Sequence, residues 1–199
     1  LENMTVFEKK YRGQYTVICG IDEAGRGPLA GPVVAGACIL PKEEEILYLN
    51  DSKKLSPAKR EELYEEITRK ALAWSVGIAS PERIDQINIL QATYEAMRNA
   101  IADLKITPDL LLVDAVTIPK LQTKQVGIIK GDAKSISIAA ASILAKVTRD
   151  RMMDQYDEVY PEYGFIKHKG YGTAEHIKAL KTYGPCPIHR QSFIQNFIE

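Results

Sequence analysis

The sequence predicts an α/β fold, a mixed sheet flanked by helices, from three observations. Two apolar runs rich in Val, Ile and Cys stand near the start, separated by a Gly/Pro loop. Further short apolar runs then alternate with helical segments, and those segments open on Ser-Pro caps and carry one-sided apolar stripes. Strands first, then strands alternating with helices, fit a layered sheet better than a sandwich or a bundle. At 199 residues, 45% hydrophobic and 26% charged, the chain can bury a core without disulfides or structural metal. Residues 15–199 read as a single domain behind a lead-in of residues 1–14.

Tyr15 to Glu23 and Val33 to Leu40 are the two buried strands. Ser56-Pro57 opens a helix, and Ser80-Pro81 repeats the signal before a longer one. In that longer helix Ile87, Leu90, Tyr94, Met97, Ile101 and Leu104 recur at spacings of three and four, which predicts one core-facing stripe ending before Thr107-Pro108. Leu110 to Asp114 is an apolar run closed by an acid, and Val126 to Lys130 is a further short strand. Ser135 to Tyr160 forms a long helix whose small residues between Ile138 and Ala145 would let it lie close on a sheet. Pro161 stops it, and a Gly- and Lys-rich loop leads into a helix from Ala174 to about Thr182.

Composition narrows the function classes. No apolar run approaches the ~20 residues of a membrane helix, and no signal peptide pattern opens the chain, so a cytoplasmic protein with no membrane contact is expected. Cys19, Cys38 and Cys186 form no CxxC and read as reduced, structural thiols. His168, His176 and His189 lack zinc-helix spacing. With 26 basic and 26 acidic side chains the net charge gives no reason to expect nucleic acid, although Lys167, Lys169, Lys178, Lys181 and Arg190 outnumber acids in the last stretch. Nothing argues for a homo-oligomer, so a monomer is expected.

The chemistry concentrates in ICGIDEAGRGPLAGP, from Ile18 to Pro32. Asp22 and Glu23 are hard oxygen donors suited to a divalent cation such as Mg²⁺. Gly25-Arg26-Gly27 follows at once, where glycines let backbone N–H groups approach a phosphate that arginine can clamp. Together they point to metal-assisted phosphoryl chemistry. Neighbouring side chains on a flat strand face opposite ways, so the backbone is expected to bend at Asp22-Glu23. Asp114 closes a later strand and Asp132 lies ahead of the long helix, whose positive end favours a carboxylate. Each acid alone is most often a surface group; if the strands are neighbours, all four converge on one edge.

Six motifs then resemble the bacterial ribonuclease HII family in order and spacing: DEAGRGPLAGP at Asp22 to Pro32, NDSKKLS at Asn50 to Ser56, LLVDA with its acid at Asp114, KGDAKSISIAAASILAKVTRD from Lys130, HKGYGT from His168 and PIHRQSF from Pro187. The resemblance implies a ribonuclease H-like fold. It also implies an endonuclease that cuts the RNA strand of RNA–DNA hybrids and nicks duplex DNA 5′ of a single embedded ribonucleotide, leaving a 3′-hydroxyl and a 5′-phosphate. By the same resemblance Asp22, Glu23, Asp114 and Asp132 hold two Mg²⁺ or Mn²⁺ ions about 3.5–4 Å apart. Gly25, Arg26 and Gly27 read the 2′-hydroxyl and its phosphate, Tyr171 packs on the sugar at the ribonucleotide-to-deoxyribonucleotide junction, and Lys53, with Lys54 the weaker candidate, approaches the phosphate near the cut. The tail QSFIQNFI faintly resembles a sliding-clamp peptide, but an ordinary amphipathic terminal segment is the preferred reading. Lys146, Arg149 and Asp150 are expected in structural ion pairs. Two rival readings are a metal-independent nucleic-acid-binding module, which would not need the four acids, and a phosphatase or nucleotide hydrolase, which would not need an extended duplex.

Overall fold

The structure is a computed structural model that describes residues 2–42 and 54–198; Lys53 and the preceding residues of NDSKKLS lie outside them. Ile18–Ala24 (β1) is the middle strand of a five-stranded sheet. Val33–Ile39 (β2) pairs with it antiparallel across the GRGPLAGP loop, and Ala73–Ala79 (β3) continues antiparallel on the outside of β2. On the other side Leu110–Asp114 (β4) and Lys124–Ile128 (β5) run parallel to β1, giving the order β3-β2-β1-β4-β5.

Helices cover both faces, which is why these strands are apolar on both sides. Taken in chain order they are Val6–Tyr11 (α1), Pro57–Lys70 (α2), Pro81–Ile87 (α3), Ile89–Ala102 (α4), Gly131–Lys134 (α5), Ile136–Val159 (α6), Phe165–His168 (α7), Ala174–Tyr183 (α8) and Gln191–Ile198 (α9). Cys19, Ile21, Ala35 and Ala37 point with Leu111 and Val113 into a core closed by Ala92, Ala96, Met97 and Ala100 of α4. Ile18, Leu110 and Leu112 face the opposite way, toward Ile138 of α6. The expected close approach of the alanine-rich helix is present: a Cβ on Gly20 would stand 2.1 Å from the Ser137 backbone, and one on Gly36 2.2 Å from the Ala141 carbonyl. Glycine in β1 and β2 therefore sets how deep α6 sits.

Capping follows the sequence signals. Ser56, Ser80 and Ser135 each accept, through the side-chain oxygen, the N–H three residues ahead. The lead-in also contributes, because Glu8 of α1 is buried and its Oε1 accepts from Ser135 Oγ (2.5 Å) and the Ser137 N–H (3.1 Å), fastening the start of α6.

Several expectations need correcting. The helix after Ser80 is two helices, because Asn88 adopts φ 73° and caps α4 by accepting from the Gln91 N–H. The expected stripe otherwise holds: Met97 is buried and Ile87, Tyr94, Ile101 and Leu104 pack against the core, with only Leu90 exposed and Ala92, Ala96 and Ala100 filling the rest of the face. The fifth strand ends at Ile128 rather than Lys130, which instead takes a left-handed conformation. The edge strand β3 had no assignment from sequence; its burial alternates regularly, but the buried positions include Ser75 and Gly77 rather than large apolar side chains.

The three cysteines are buried free thiols, as expected. No helix among the described residues is long and apolar enough to cross a membrane.

Candidate active site

Two neighbouring parallel strands end in carboxylates. Ile21 pairs with Val113, so Asp22 and Asp114 are the next residues along on adjacent strands. By strand alternation both share the α6 face with Gly20 and Leu112. Asp132 arrives from α5, and the Gly131 N–H donates to Asp114 Oδ1 at 2.6 Å, tying the start of that helix to the end of β4. Glu23 has the opposite strand parity, yet no bulge is needed: pairing with β2 runs one to one through Asp22, Glu23 and Ala24, and the chain turns only at Gly25, with φ 91°. The expected bend at Asp22-Glu23 is therefore absent. At the open end of the sheet both faces give onto one cavity of about 540 Å³, lined by Asp22, Glu23, Asp114 and Asp132 together with Gly25, Arg26, Gly27 and Tyr171.

The carboxylates repel one another. Burial, then the charges of Glu23, Asp114 and Asp132, raises the Asp22 carboxyl well above its ordinary range. Burial also raises Glu23, against the opposing effects of its hydrogen bond with Asp22 and of Arg26, whose guanidinium is 3.9 Å away. Glu23 Oε2 is buried without a hydrogen-bond partner. A buried acceptor set of hard oxygens with an unsatisfied member fits a divalent cation, which would relieve both the repulsion and the orphaned oxygen. The side chains have not closed into a ligand cage, since no group of three or more His, Cys, Asp or Glu among the described residues is already disposed to hold an ion.

The glycine loop is held from behind by two buried guanidiniums. Arg149 donates to the carbonyls of Ala30, Pro32 and Lys169, and Arg190 to those of Gly25, Arg26, Gly31 and Pro32. Burial lowers Arg149 to about 10 and Arg190 to about 9, so both stay cationic near neutral pH. Gly25 is needed for this packing: a Cβ would meet Arg149 Nε at 2.2 Å. Gly27 differs, because a Cβ there would have only Tyr171 Cε1 within reach, at 3.8 Å across the cleft. The Tyr171 ring is 41% exposed, with Lys146 Nζ and the Arg149 guanidinium each 5.8 Å from its centroid.

Of the expected ion pairs, Lys146 and Asp150 form one at 3.1 Å, but Arg149 binds carbonyls instead. Of the basic residues that outnumber acids in the last stretch, Arg190 is buried, while Lys167 pairs with Glu175 and Lys169 with Asp154. Lys54 is exposed and does not line the cavity. Sequence reasoning missed Arg60, Ser142 and Lys146 as cavity residues. Ser142 and Lys146 lie four apart on α6, a helical spacing that could have placed them on one face.

Comparison with known proteins agrees with this geometry. The ribonuclease HII family matches residues 19–196. The ribonuclease HII of Lachnoclostridium phytofermentans is 69% identical over 182 residues, 92% of this chain and 72% of that protein. The crystal structure of ribonuclease H2 from Pyrococcus horikoshii is similar with TM-score 0.77 at 29% identity, covering 92% of this chain and 97% of that one. The ribonuclease HII of Archaeoglobus fulgidus, solved in complex with PCNA, is similar with TM-score 0.75 at 30% identity and the same coverage, 92% and 97%. Likeness at this level disfavours the binding-module alternative. The chain belongs to the ribonuclease HII family and is a ribonuclease H endonuclease, a hydrolase whose substrates are nucleic acids such as RNA–DNA hybrids.

Proposed function

We propose that Asp22, Glu23, Asp114 and Asp132 hold two Mg²⁺ or Mn²⁺ ions and that the enzyme nicks duplex DNA immediately 5′ of a single ribonucleotide as well as cutting hybrids. The observation that carries this reading is one cavity lined by the four carboxylates, the Gly25-Arg26-Gly27 loop and Tyr171. The four carboxylates would hold cations whose chemistry would be to activate a water and neutralise charge on the departing 3′ oxygen. Hydrolysis then breaks the P–O3′ bond and leaves a 3′-hydroxyl and a 5′-phosphate, with no protein nucleophile.

The chain's own residues position the substrate. Asp22, buried at the end of β1 among the other three acids, would hold the cations together with Glu23, Asp114 and Asp132. The Arg26 guanidinium, 3.9 Å from Glu23, stands where it can grip a phosphate beside the metal site. Backbone groups of the loop meet the 2′-hydroxyl, which both donates and accepts. Gly27 leaves the gap to Tyr171 open for the sugar at the junction. Gly25 acts by letting the loop close on Arg149, and Lys53 is assigned to the phosphate near the cut.

The sequence supports a monomer acting in the cytoplasm. A sliding-clamp contact through QSFIQNFI draws support from the PCNA complex of the Archaeoglobus relative. In this chain Ile194 is buried, and Phe193 and Phe197 pack beside it, so such a contact would have to draw on the remaining exposed residues or release these.

The test is an end-labelled DNA duplex with one ribonucleotide, incubated with Mg²⁺, Mn²⁺ or EDTA and mapped against an all-DNA control. A metal-dependent nick 5′ of the ribonucleotide is expected. Duplex binding without a nick would sink the reading.

A further inference from the structure

The fold gathers the chain's three histidines directly behind Tyr171, although their sequence spacing promised nothing. His168, His176 and His189 are all buried; the first two rings stack with centroids 4.3 Å apart, and Phe165 meets both edge-on. Hydrogen bonding fixes their tautomers. The Cys186 N–H donates to His189 Nδ1 at 2.9 Å, so neutral His189 carries its proton on Nε2. That Nε2 is 2.9 Å from His176 Nε2, which must therefore be the acceptor and leave the His176 proton on Nδ1. His176 Nδ1 lies 2.8 Å from the Tyr171 carbonyl and donates to it. His168 follows the same logic, accepting the Gly170 N–H at Nδ1 (3.1 Å) and donating from Nε2 to the Tyr163 carbonyl (2.8 Å).

The chain of bonds reaches the catalytic loop. Gly170, beside Tyr171, accepts from the Leu29 N–H at 2.8 Å, and the Arg190 N–H, beside His189, donates to the Leu29 carbonyl at 2.9 Å. Among the described residues none of the three rings hydrogen-bonds a carboxylate; the Glu175 carboxylate lies with His168 Nε2 beside Gly164. Lys167 and Glu175 pair with each other at 3.5 Å, Arg149 and Arg190 are committed to carbonyls, the Tyr163 hydroxyl donates to Gly184, and Glu162 and the Cys186 thiol complete the titratable surroundings. Burial lowers His176 below its ordinary value and His189 to about 4, which keeps both rings neutral.

We propose that His176 and His189 are positioning residues for Tyr171: their neutral, one-directional hydrogen-bond chain from the Cys186 N–H to the Tyr171 carbonyl fixes the tyrosine opposite Gly27 and thereby sets the preference for a ribonucleotide–deoxyribonucleotide junction. The proposal rests on the reading of Tyr171 as the junction reader. A proton added to either ring would set two donors face to face and break the chain.

The test compares kcat/KM on a DNA duplex containing one ribonucleotide with kcat/KM on a hybrid whose whole strand is RNA and has no junction. His176→Phe keeps an aromatic ring but none of the bonds, and lowers the ratio of the two values about tenfold, the scale of a small misplacement at a reacting centre. His176→Asn, whose amide N–H can replace Nδ1–H toward the Tyr171 carbonyl, restores most of the ratio. Tyr171→Ala lowers the ratio at least as far, and adding His176→Phe to it lowers the ratio no further. If His176→Phe depresses both substrates equally or leaves the ratio alone, or if His176→Asn behaves like His176→Phe, the proposal is overturned. A Tyr171→Ala enzyme with an unchanged ratio removes the junction reading itself, a failure seen without altering any histidine, and takes the proposal with it.

Discussion

The carboxylate edge and the loop facing it are built on opposite electrostatic plans. At the ends of β1 and β4, burial and mutual repulsion leave Asp22 raised well above its ordinary range and Glu23 Oε2 without a partner. Across the cleft, buried Arg149 and Arg190 spend their donors on backbone carbonyls, and His176 and His189 close a neutral bond chain behind Tyr171. Under the proposed function, cations would complete the first half, while the second is completed by the protein. On that proposal, chemistry and discrimination fall to different halves of one cavity.

Asp22→Asn breaks the first half and carries the largest effect. Cleavage should fall by about 10²–10³-fold or more, the scale of losing a main electrostatic group at a reacting centre. In EDTA the same variant should be harder to unfold than the parent, because a repelled buried charge is gone; thermal melts with and without Mn²⁺ check both the gain and the lost metal stabilisation. A parent-like nicking rate would contradict the assignment.

Arg190→Met breaks the second half. Its guanidinium serves the carbonyls of Gly25, Arg26, Gly31 and Pro32. Pro32 keeps its bond from Arg149, but leaving the Gly25, Arg26 and Gly31 carbonyls without this donor should cost about 3 kcal/mol or more. Lysine should not rescue it, since one ammonium cannot reproduce the planar fork. Urea midpoints measure both variants.

A glycine pair sharpens the comparison. Gly25→Ala puts a side chain on a residue with φ 91° and 2.2 Å from Arg149, so it should destabilise by about 2 kcal/mol. Gly27→Ala meets only Tyr171, at 3.8 Å, so its stability should stay within about 0.5 kcal/mol while cleavage drops about tenfold. Equal melting temperatures for the two variants would show that they share one role.

The smallest effect is the response to pH in EDTA, where the halves should oppose each other. His176 and His189 have folded values below the unfolded 6.5, that of His189 at about 4, so their contribution is present above pH 6.5 and is lost as pH falls through those lowered values. Asp22 has a folded value above the unfolded 3.8, so its contribution is present below pH 3.8 and is lost as pH rises through the raised value. Urea midpoints against pH should show His176→Phe flattening the acid loss and Asp22→Asn flattening the loss at higher pH.

How much of this was legible in the sequence follows the range of each interaction. Strands β1, β2 and β4 were readable from uninterrupted apolar runs, and α2 and α6 from their Ser caps and periodicity, because those signals lie within a few residues. The restart at Asn88 was missed because a left-handed cap is a single-residue choice inside a continuing stripe. β3 was missed because its pattern is inverted: the buried positions are Ala73, Ser75, Gly77 and Ala79, while the large apolar Trp74, Val76 and Ile78 stand on the more exposed face. At the site, the acids and the glycine loop stand in short motifs, whereas the support does not. Arg190 reaches a loop about 160 residues earlier, and His176 meets His189 only because α8 and the following turn fold back. Net charge and histidine spacing hold no record of such pairings.

The most direct measurement of the division of labour uses Asp22→Asn in Mg²⁺ with two fluorescent duplexes, all-DNA and single-ribonucleotide, followed by anisotropy and by nicking in the same samples. The account predicts that the variant still binds the ribonucleotide duplex more tightly than the DNA duplex while nicking neither. Equal binding of both duplexes, or nicking at the parent rate, would contradict it.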